Sequence, residues 1–331
     1  MSQLVDKYGR VIDYIRIAVT DKCNLRCFYC MPNEGIDFVK QNQLMSYEEL
    51  LRGASILSKM GVSKVRITGG EPFLRKNIMY FIKSLSKIKG IDKIAITTNG
   101  TQTLNYLDEL MSYGVKSFNL SIDSIDKDRF FDITRRDYFD KVWNCFEEMS
   151  KRDINLKLNA VVIKDRNIED INPMVALTKD RNVSIRFIEE MPFNGKGANY
   201  QNLEWNYIKI LQHIESEHGK AEKLVDEKNS TSLNYKIPGH QGSFGIIPAY
   251  SRTFCGTCNR LRLTPMGIIK TCLYDEGIFN IRDLMRAGAT DTQLKEAVIE
   301  AVGQKVKDGF AAEAKRKHSP DISESMTTIG G

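Results

Sequence analysis

The chain has 331 residues, 42% of them hydrophobic, which suffices to bury one large core or two modest ones. Its 48 basic and 42 acidic residues leave a net charge of +6, a balance that suits an anionic small molecule and is too small and too scattered for a nucleic-acid footprint. No run of about 18 apolar residues occurs, and the opening "MSQLVDKYGRVIDYIR" carries charges where a signal peptide needs an apolar stretch, so the reading is a cytoplasmic protein with no membrane span.

From residue 12 to about 191, short apolar runs alternate with amphipathic stretches. The strand candidates are "YIRIAV" (14 to 19), "KVRIT" (64 to 68), "KIAIT" (93 to 97), "SFNLSI" (117 to 122), "LKLNAVVI" (156 to 163) and "VSIRFIE" (183 to 189). Helical segments separate them; "SYEELLRGASILSKM" opens with Ser46 and Glu49 at capping-box spacing. Six strand-then-helix units predict an α/β fold with a parallel sheet, curled into a partial barrel or lying open, and a site in the loops after the strands. Cations stand within these apolar strands, among them Arg16 in the first, Lys64 and Arg66 on one face of the second and Lys157 in the fifth. A strand buried on both faces seldom holds a charge unless it is paired or faces a ligand. These cations therefore predict a polyanionic substrate such as a nucleoside triphosphate.

At about residue 192 the pattern changes. "PFNGKGANYQN" reads as a connector, and "LEWNYIKILQHIESEHG" as a helix that begins a second unit, an α+β extension over residues 192 to 331. Within it "NRLRL" sets Arg260 and Arg262 on one face of an extended segment, a pairing suited to phosphate oxygens. Further on, "TDTQLKEAVIEAVGQKVKDG" spaces Leu294, Val298, Val302 and Val306 four apart, as in a docked helix. The tail is polar and ends in Gly330 and Gly331.

Six of the seven cysteines fall into two tight groups, Cys23, Cys27, Cys30 and Cys255, Cys258, Cys272; in a reducing compartment this argues for metal ligation over disulfides. Cys145 lies in a helical pattern beside Trp143 and Phe146 and reads as a buried thiol. Each group lacks a fourth ligand nearby. A structural zinc would want one, and only folding could bring in His240 or His318. A 4Fe-4S cube on three thiolates leaves one iron open to a substrate or cofactor.

The spacing of Cys23, Cys27 and Cys30 after a strand, with Tyr29 before the last ligand, resembles the signature of the radical S-adenosylmethionine (SAM) enzymes, and "TGGEP" at 68 to 72 resembles their glycine-rich turn. The series "VTDKCNLRCFYCMP", "RITGGEP", "TTNG", "FIEEMP", "IPGHQG" and "FCGTCNRLRLTPMG", with the terminal "IGG", is similar in order and spacing to the GTP 3′,8-cyclase (MoaA) family of molybdenum cofactor biosynthesis. By that resemblance, Cys23, Cys27 and Cys30 hold a 4Fe-4S cluster that cleaves SAM to a 5′-deoxyadenosyl radical, and Tyr29, Gly70, Ser121 and Met191 line the SAM site. A second 4Fe-4S cluster on Cys255, Cys258 and Cys272 would take the guanine of GTP at its open iron. Arg16, Lys64, Arg66, Thr97, Lys157, Arg260 and Arg262 would contact GTP, with Leu261 lying along it. Gly330 and Gly331 would thread into the site. The reaction implied is removal of the ribose 3′ hydrogen and attack of the carbon radical on C8, giving (8S)-3′,8-cyclo-7,8-dihydroguanosine 5′-triphosphate. A homodimer, an electron donor that the sequence does not identify and a downstream enzyme that processes the cyclic nucleotide are implied as partners. Ala18 stands where this family favours serine and Phe73 where leucine is commoner; neither carries a role. The rivals are a radical enzyme acting on a peptide or tetrapyrrole, which leaves the arginines without work, and a zinc-stapled nucleic-acid binder.

Overall fold

The structure is a computed structural model that describes residues 3–31, 35–191, 203–316 and 325–329. Within them the first half of the chain alternates strand and helix. β1 (Tyr14–Ala18) leads through a long loop to α1 (Tyr47–Lys59), then β2 (Lys64–Thr68), α2 (Ile78–Leu85), β3 (Lys93–Thr98), α3 (Leu107–Ser112) and β4 (Ser117–Ser121). Helices α4 (Lys127–Thr134) and α5 (Phe139–Ser150) precede β5 (Asn155–Val162), and α6 (Ile171–Ala176) precedes β6 (Ser184–Glu189). The second half supplies α7 (Tyr207–His218), β7 (Glu222–Lys223), β8 (Leu233–Lys236), β9 (Ser243–Ile247), β10 (Arg260–Leu263), β11 (Ile268–Lys270), β12 (Phe279–Asn280), α8 (Ile281–Arg286), α9 (Asp291–Gly303), α10 (Gly309–Arg316) and a last turn at Met326–Ile329.

All the described strands belong to one sheet, in the order β12-β11-β10-β1-β2-β3-β4-β5-β6-β9-β8-β7. From β10 through β9 every neighbouring pair is parallel, while β7, β8, β11 and β12 are antiparallel at the ends. The sheet does not close, because β12 and β7 lie at opposite ends of that order. The six strands expected from the sequence all form, within a residue or two of the expected ends. The strands beyond residue 192, in the stretch read as an extension, continue the sheet past both β1 and β6. Two otherwise bare edges would be open to foreign pairing, and these strands cover them.

Period-two alternation divides each strand between two environments. Ile15, Ile17, Val65, Ile67, Ile96, Phe118, Leu120, Leu158, Ile185, Phe187, Phe244, Ile246, Leu261 and Leu263 form the core under the helices. The residues between them face the opposite way, into a cavity. Cys145 is fully buried in the same core, its Sγ 3.5 Å from Met149 Sδ, as read from the sequence.

Helix starts are set locally. Ser46 accepts from the Glu49 amide and Glu49 accepts from the Ser46 amide, the capping box expected at α1. Thr290 and Gln293 repeat the device at α9. Two helices are shorter than their patterns. Asn206 caps α7, which therefore begins at Tyr207. α9 stops at Gly303 and leaves Val306 outside it, because the chain turns there to send Lys305 inward.

Candidate active site

Side chains of the eight parallel neighbours converge on a cavity of about 630 Å³, within the usual range for a small-molecule site. Register builds its floor. Arg262, Arg16 and Arg66 stand side by side across β10, β1 and β2, and one step away Arg260, Tyr14 and Lys64 form a second row. Lys157 lies opposite Asn119 on β4, and Arg186 of β6 lies opposite Asn159 on β5. Seven strand-borne cations thus line one cavity: Arg16, Lys64, Arg66, Lys157, Arg186, Arg260 and Arg262.

They are held by polar neighbours. Arg66 Nε donates to Tyr14 Oη at 2.7 Å and its Nη1 to Thr97 Oγ1 at 3.2 Å. Arg186 Nη1 donates to Ser232 Oγ at 3.1 Å and also to Asn234. Lys64 Nζ sits 4.5 Å from the Tyr14 ring centroid. Crowding of like charge away from water shows in the acidities. Burial, then Arg186 and Arg66, hold Lys157 down to about 8, and burial then Arg262 draw Arg16 well below its ordinary value. Burial alone would raise the Tyr14 phenol, yet the pull of Arg66, Arg16 and Lys64 outweighs it and leaves that group at about 7.

The first cysteine group lies in the loop after β1. Cys23, Cys27 and Cys30 all line the cavity, and so do Tyr29, Gly70, Ser121, Thr97 and Met191. Asn99 Nδ2 donates to Cys23 Sγ at 3.6 Å. Tyr29 Oη donates to Asp123 Oδ2 at 2.6 Å, and burial lifts that carboxyl to about 6. Glycine at 69 and 70 is a steric requirement: Gly69 has φ +152°, and a Cβ on Gly70 would strike the Asp21 carbonyl oxygen at 2.6 Å. The next residue, Glu71, is fully buried and accepts from the Asn99 amide at 2.7 Å, Thr98 Oγ1 at 2.9 Å and the Phe73 amide at 3.2 Å. It ties the ends of β2 and β3 together beneath the cysteine loop.

The second group occupies the far side of the cavity. Cys255 and Cys258 precede β10, and Cys272 follows β11. Asp275 Oδ2 accepts from the Thr271 and Cys272 amides at 2.8 and 2.7 Å, fixing the Cys272 turn. Residues 325–329 dock between the groups: Ser325 Oγ donates to the Cys30 carbonyl at 2.7 Å, Arg262 Nη1 to the Ile329 carbonyl at 3.4 Å, and Met326 and Thr327 line the cavity. Gly330 and Gly331 lie outside the described residues. Leu261, fully buried, points into the core between its two arginines and is not among the cavity-lining residues. His240 bonds Thr178 Oγ1 at 2.8 Å, and neither it nor any other described histidine lines the cavity; His318 lies outside the described residues.

Six cysteines in two sets of three suit a thiolate-loving group on each side. Among the described residues no three or more His, Cys, Asp or Glu side chains are placed to hold a single metal ion together. Burial drives Cys23 to about 11 and Cys30 to about 12, a shift that a bound cationic group would reverse by favouring the thiolates. Cys258 differs. Burial would raise it, but Arg260 and Lys305 bring it to about 6.

Sequence reasoning passed over Arg186, Asp123, Asn159 and Lys305. Arg186 carried a signal, since "VSIRFIE" is an apolar strand with one arginine like "YIRIAV". Lys305 carried none, because it lies beside Val306 within a stretch whose spacing reads as a helix, where a lysine is ordinary.

Two family models match the chain, "Radical SAM superfamily" over residues 17–178 and "Molybdenum Cofactor Synthesis C" over 183–310. A GTP 3′,8-cyclase of Clostridium perfringens (strain 13 / Type A) is 38% identical over 98% of this chain and 99% of its own length, and a mitochondrial GTP 3′,8-cyclase of Arabidopsis thaliana is 38% identical over 99% and 83%. Molybdenum cofactor biosynthesis protein moc-5 of Caenorhabditis elegans is 42% identical over 98% of the chain, which spans 55% of that protein; the chain likewise spans about half of several other curated relatives. Among solved structures, Streptococcus suis SuiB bound to S-adenosylmethionine superposes with a TM-score of 0.61 at 15% identity, covering 97% of this chain and 79% of that one. That likeness is one of fold. No helix among the described residues is long and apolar enough to cross a membrane.

Proposed function

Since the chain belongs to the GTP 3′,8-cyclase family within the radical SAM superfamily, we propose that it converts GTP to (8S)-3′,8-cyclo-7,8-dihydroguanosine 5′-triphosphate for molybdenum cofactor biosynthesis. The observation that carries this reading is one cavity lined by both cysteine groups and seven strand-borne cations. The cations of such a cavity crowd one another, and a triphosphate offers them the opposite charge.

Cys23, Cys27 and Cys30 would hold one 4Fe-4S cluster and Cys255, Cys258 and Cys272 a second. The first, when bound, supplies the electron that cleaves SAM, and the second offers an open iron to the guanine. Tyr29, Gly70, Ser121 and Met191 would bind SAM, Gly70 by letting the backbone come close. Arg16, Lys64, Arg66, Thr97, Lys157, Arg260 and Arg262 would grip the triphosphate and ribose, with paired guanidiniums matching phosphate oxygens. Leu261 would serve through its backbone, given where its side chain points. These groups position C3′ toward one cysteine group and the purine toward the other, as a radical left unaligned is quenched by the nearest hydrogen. The segment ending at Ile329, held by Arg262, would help to keep water from the substrate, and Gly330 and Gly331, which lie outside the described residues, would thread into the site. A homodimer, a separate electron donor and a downstream enzyme acting on the cyclic nucleotide complete the proposal.

Anaerobic incubation with GTP, SAM and dithionite tests it. The expected result is 5′-deoxyadenosine together with a cyclised nucleotide. SAM cleavage that no nucleotide stimulates, with GTP recovered unchanged, would remove the substrate assignment.

A further inference from the structure

Lys305 is 2% exposed and stands behind the second cysteine group. Its Nζ lies 3.8 Å from Cys258 Sγ, donates to the Arg260 carbonyl at 3.1 Å and donates also to the Thr271 carbonyl. Those contacts join two separate segments, one carrying Cys258 into β10 and one carrying Cys272 out of β11. Two carbonyls and a thiol are a donor's complement for an ammonium, but carbonyls bring no counter-charge. Among the described residues no carboxylate forms a salt bridge with Lys305. A buried cation without a carboxylate is costly unless another anion compensates it, and a thiolate-ligated cluster is such an anion.

The residues on either side of this site are also anchored. Arg10, itself paired with Asp6 at 2.6 Å, donates to the Val306 and Lys307 carbonyls at 2.7 Å and to the Cys255 carbonyl at 3.2 Å. The turn after α9 is thereby pinned, and the lysine stem has a fixed point from which to reach inward.

We propose that Lys305 is a positioning and tuning residue of the second cluster: it staples the Cys258 and Cys272 segments together and raises the cluster's reduction potential. This rests on the two-cluster reading above. The physical basis is charge. Reduction adds an electron to an already anionic group, and a cation at hydrogen-bonding distance in a low-dielectric site favours the more negative state.

The test uses the whole chain, reconstituted anaerobically, with iron content, 5′-deoxyadenosine formation and an EPR-monitored redox titration as readouts. Lys305→Met is expected to make the second cluster about tenfold harder to reduce, which for a one-electron couple is ~59 mV. Lys305→Arg, which keeps the charge, is expected to stay near the unmodified protein. Selective loss of the second cluster's iron in Lys305→Met, with SAM cleavage retained, would support the staple. An unchanged potential at full iron content overturns the proposal, as does an equal fall in Lys305→Arg. A measurement without any variant guards against misfolding: pulsed EPR on protein grown with ¹⁵Nζ-lysine should show a nitrogen coupling to the reduced second cluster, and its absence also overturns the proposal. Were the unmodified chain to hold a single cluster, the two-cluster reading itself would have failed, an outcome that iron analysis separates from the others.

Discussion

Tyr14 and Lys157 both fall in the range where cells live, at about 7 and about 8: Lys157 is brought down by burial and then by Arg186 and Arg66, and Tyr14 by Arg66, Arg16 and Lys64 against the effect of its burial. Below its value Tyr14 is neutral and above it anionic; below its value Lys157 is cationic and above it neutral. Each change, with rising pH, removes positive charge from the triphosphate's surroundings. Affinity for GTP should therefore be greatest in mildly acidic solution and fall as pH passes through those two values, as read by anaerobic calorimetry. Lys157→Met should weaken binding and erase the upper step, and Tyr14→Phe the lower. A dissociation constant that stays level across this range would contradict the assignment. Arg66 is fixed by Tyr14 and Thr97, so its guanidinium is already aimed. Arg66→Ala should remove about 1.5–3 kcal/mol of charge-assisted hydrogen bonding, or roughly ten- to hundredfold in affinity. Arg16, Arg66, Lys64 and Lys157 were legible in the sequence because a charge inside an apolar strand is conspicuous. Tyr14 was not, since an aromatic there looks like any strand residue.

The loops and caps make the same point for single elements. Gly70 lies in the turn after β2, with the carbonyls of Asp21 and Lys22 where its Cβ would stand. Gly70→Ala must displace the loop carrying Cys23, so the first cluster's iron and the uncoupled cleavage of SAM should both fall sharply, while circular dichroism stays close to the unmodified protein. Retention of full iron would show that the loop yields more readily than its packing suggests. The α1 cap offers a contrast. Ser46→Ala removes a capping box remote from the cavity and should cost about 1 kcal/mol in denaturant unfolding with turnover unchanged. "SYEE" could be read as a helix start because a cap is satisfied within four residues. The end of α9 could not be read that way, since the residues beyond Gly303 are drawn off by Arg10 and by the inward turn of Lys305.

At the scale of the molecule, the second half of the chain completes a cavity begun by the first. β10 places Arg260 and Arg262 beside Tyr14 and Arg16, and residues 325–329 return to bond Cys30. A division of labour follows. Cys272→Ala should halve the iron and abolish nucleotide cyclisation while SAM is still cleaved. Removal of Gly330 and Gly331 should likewise stop cyclisation, with both clusters kept. Cyclisation at the normal rate in either variant would refute the role given to that end of the chain.

Much of this was fixed by local chemistry that needs no neighbour. The cysteine spacings, the glycine pair before Glu71, the strand period and the misplaced cations each show as a pattern inside a short window, even where the partner lies far off in the chain, as the Asp21 carbonyl does for Gly70, so the parallel α/β core and the metal-binding character could be read directly. What required the tertiary structure was every relation between distant segments: the late strands joining both edges of the sheet, Leu261 facing the core while its neighbours face the cavity, Arg186 completing the ring of cations, and Lys305 reaching Cys258 across 47 positions. Those relations depend on which surfaces remain to be buried once the local elements exist, and no short window of sequence contains that information.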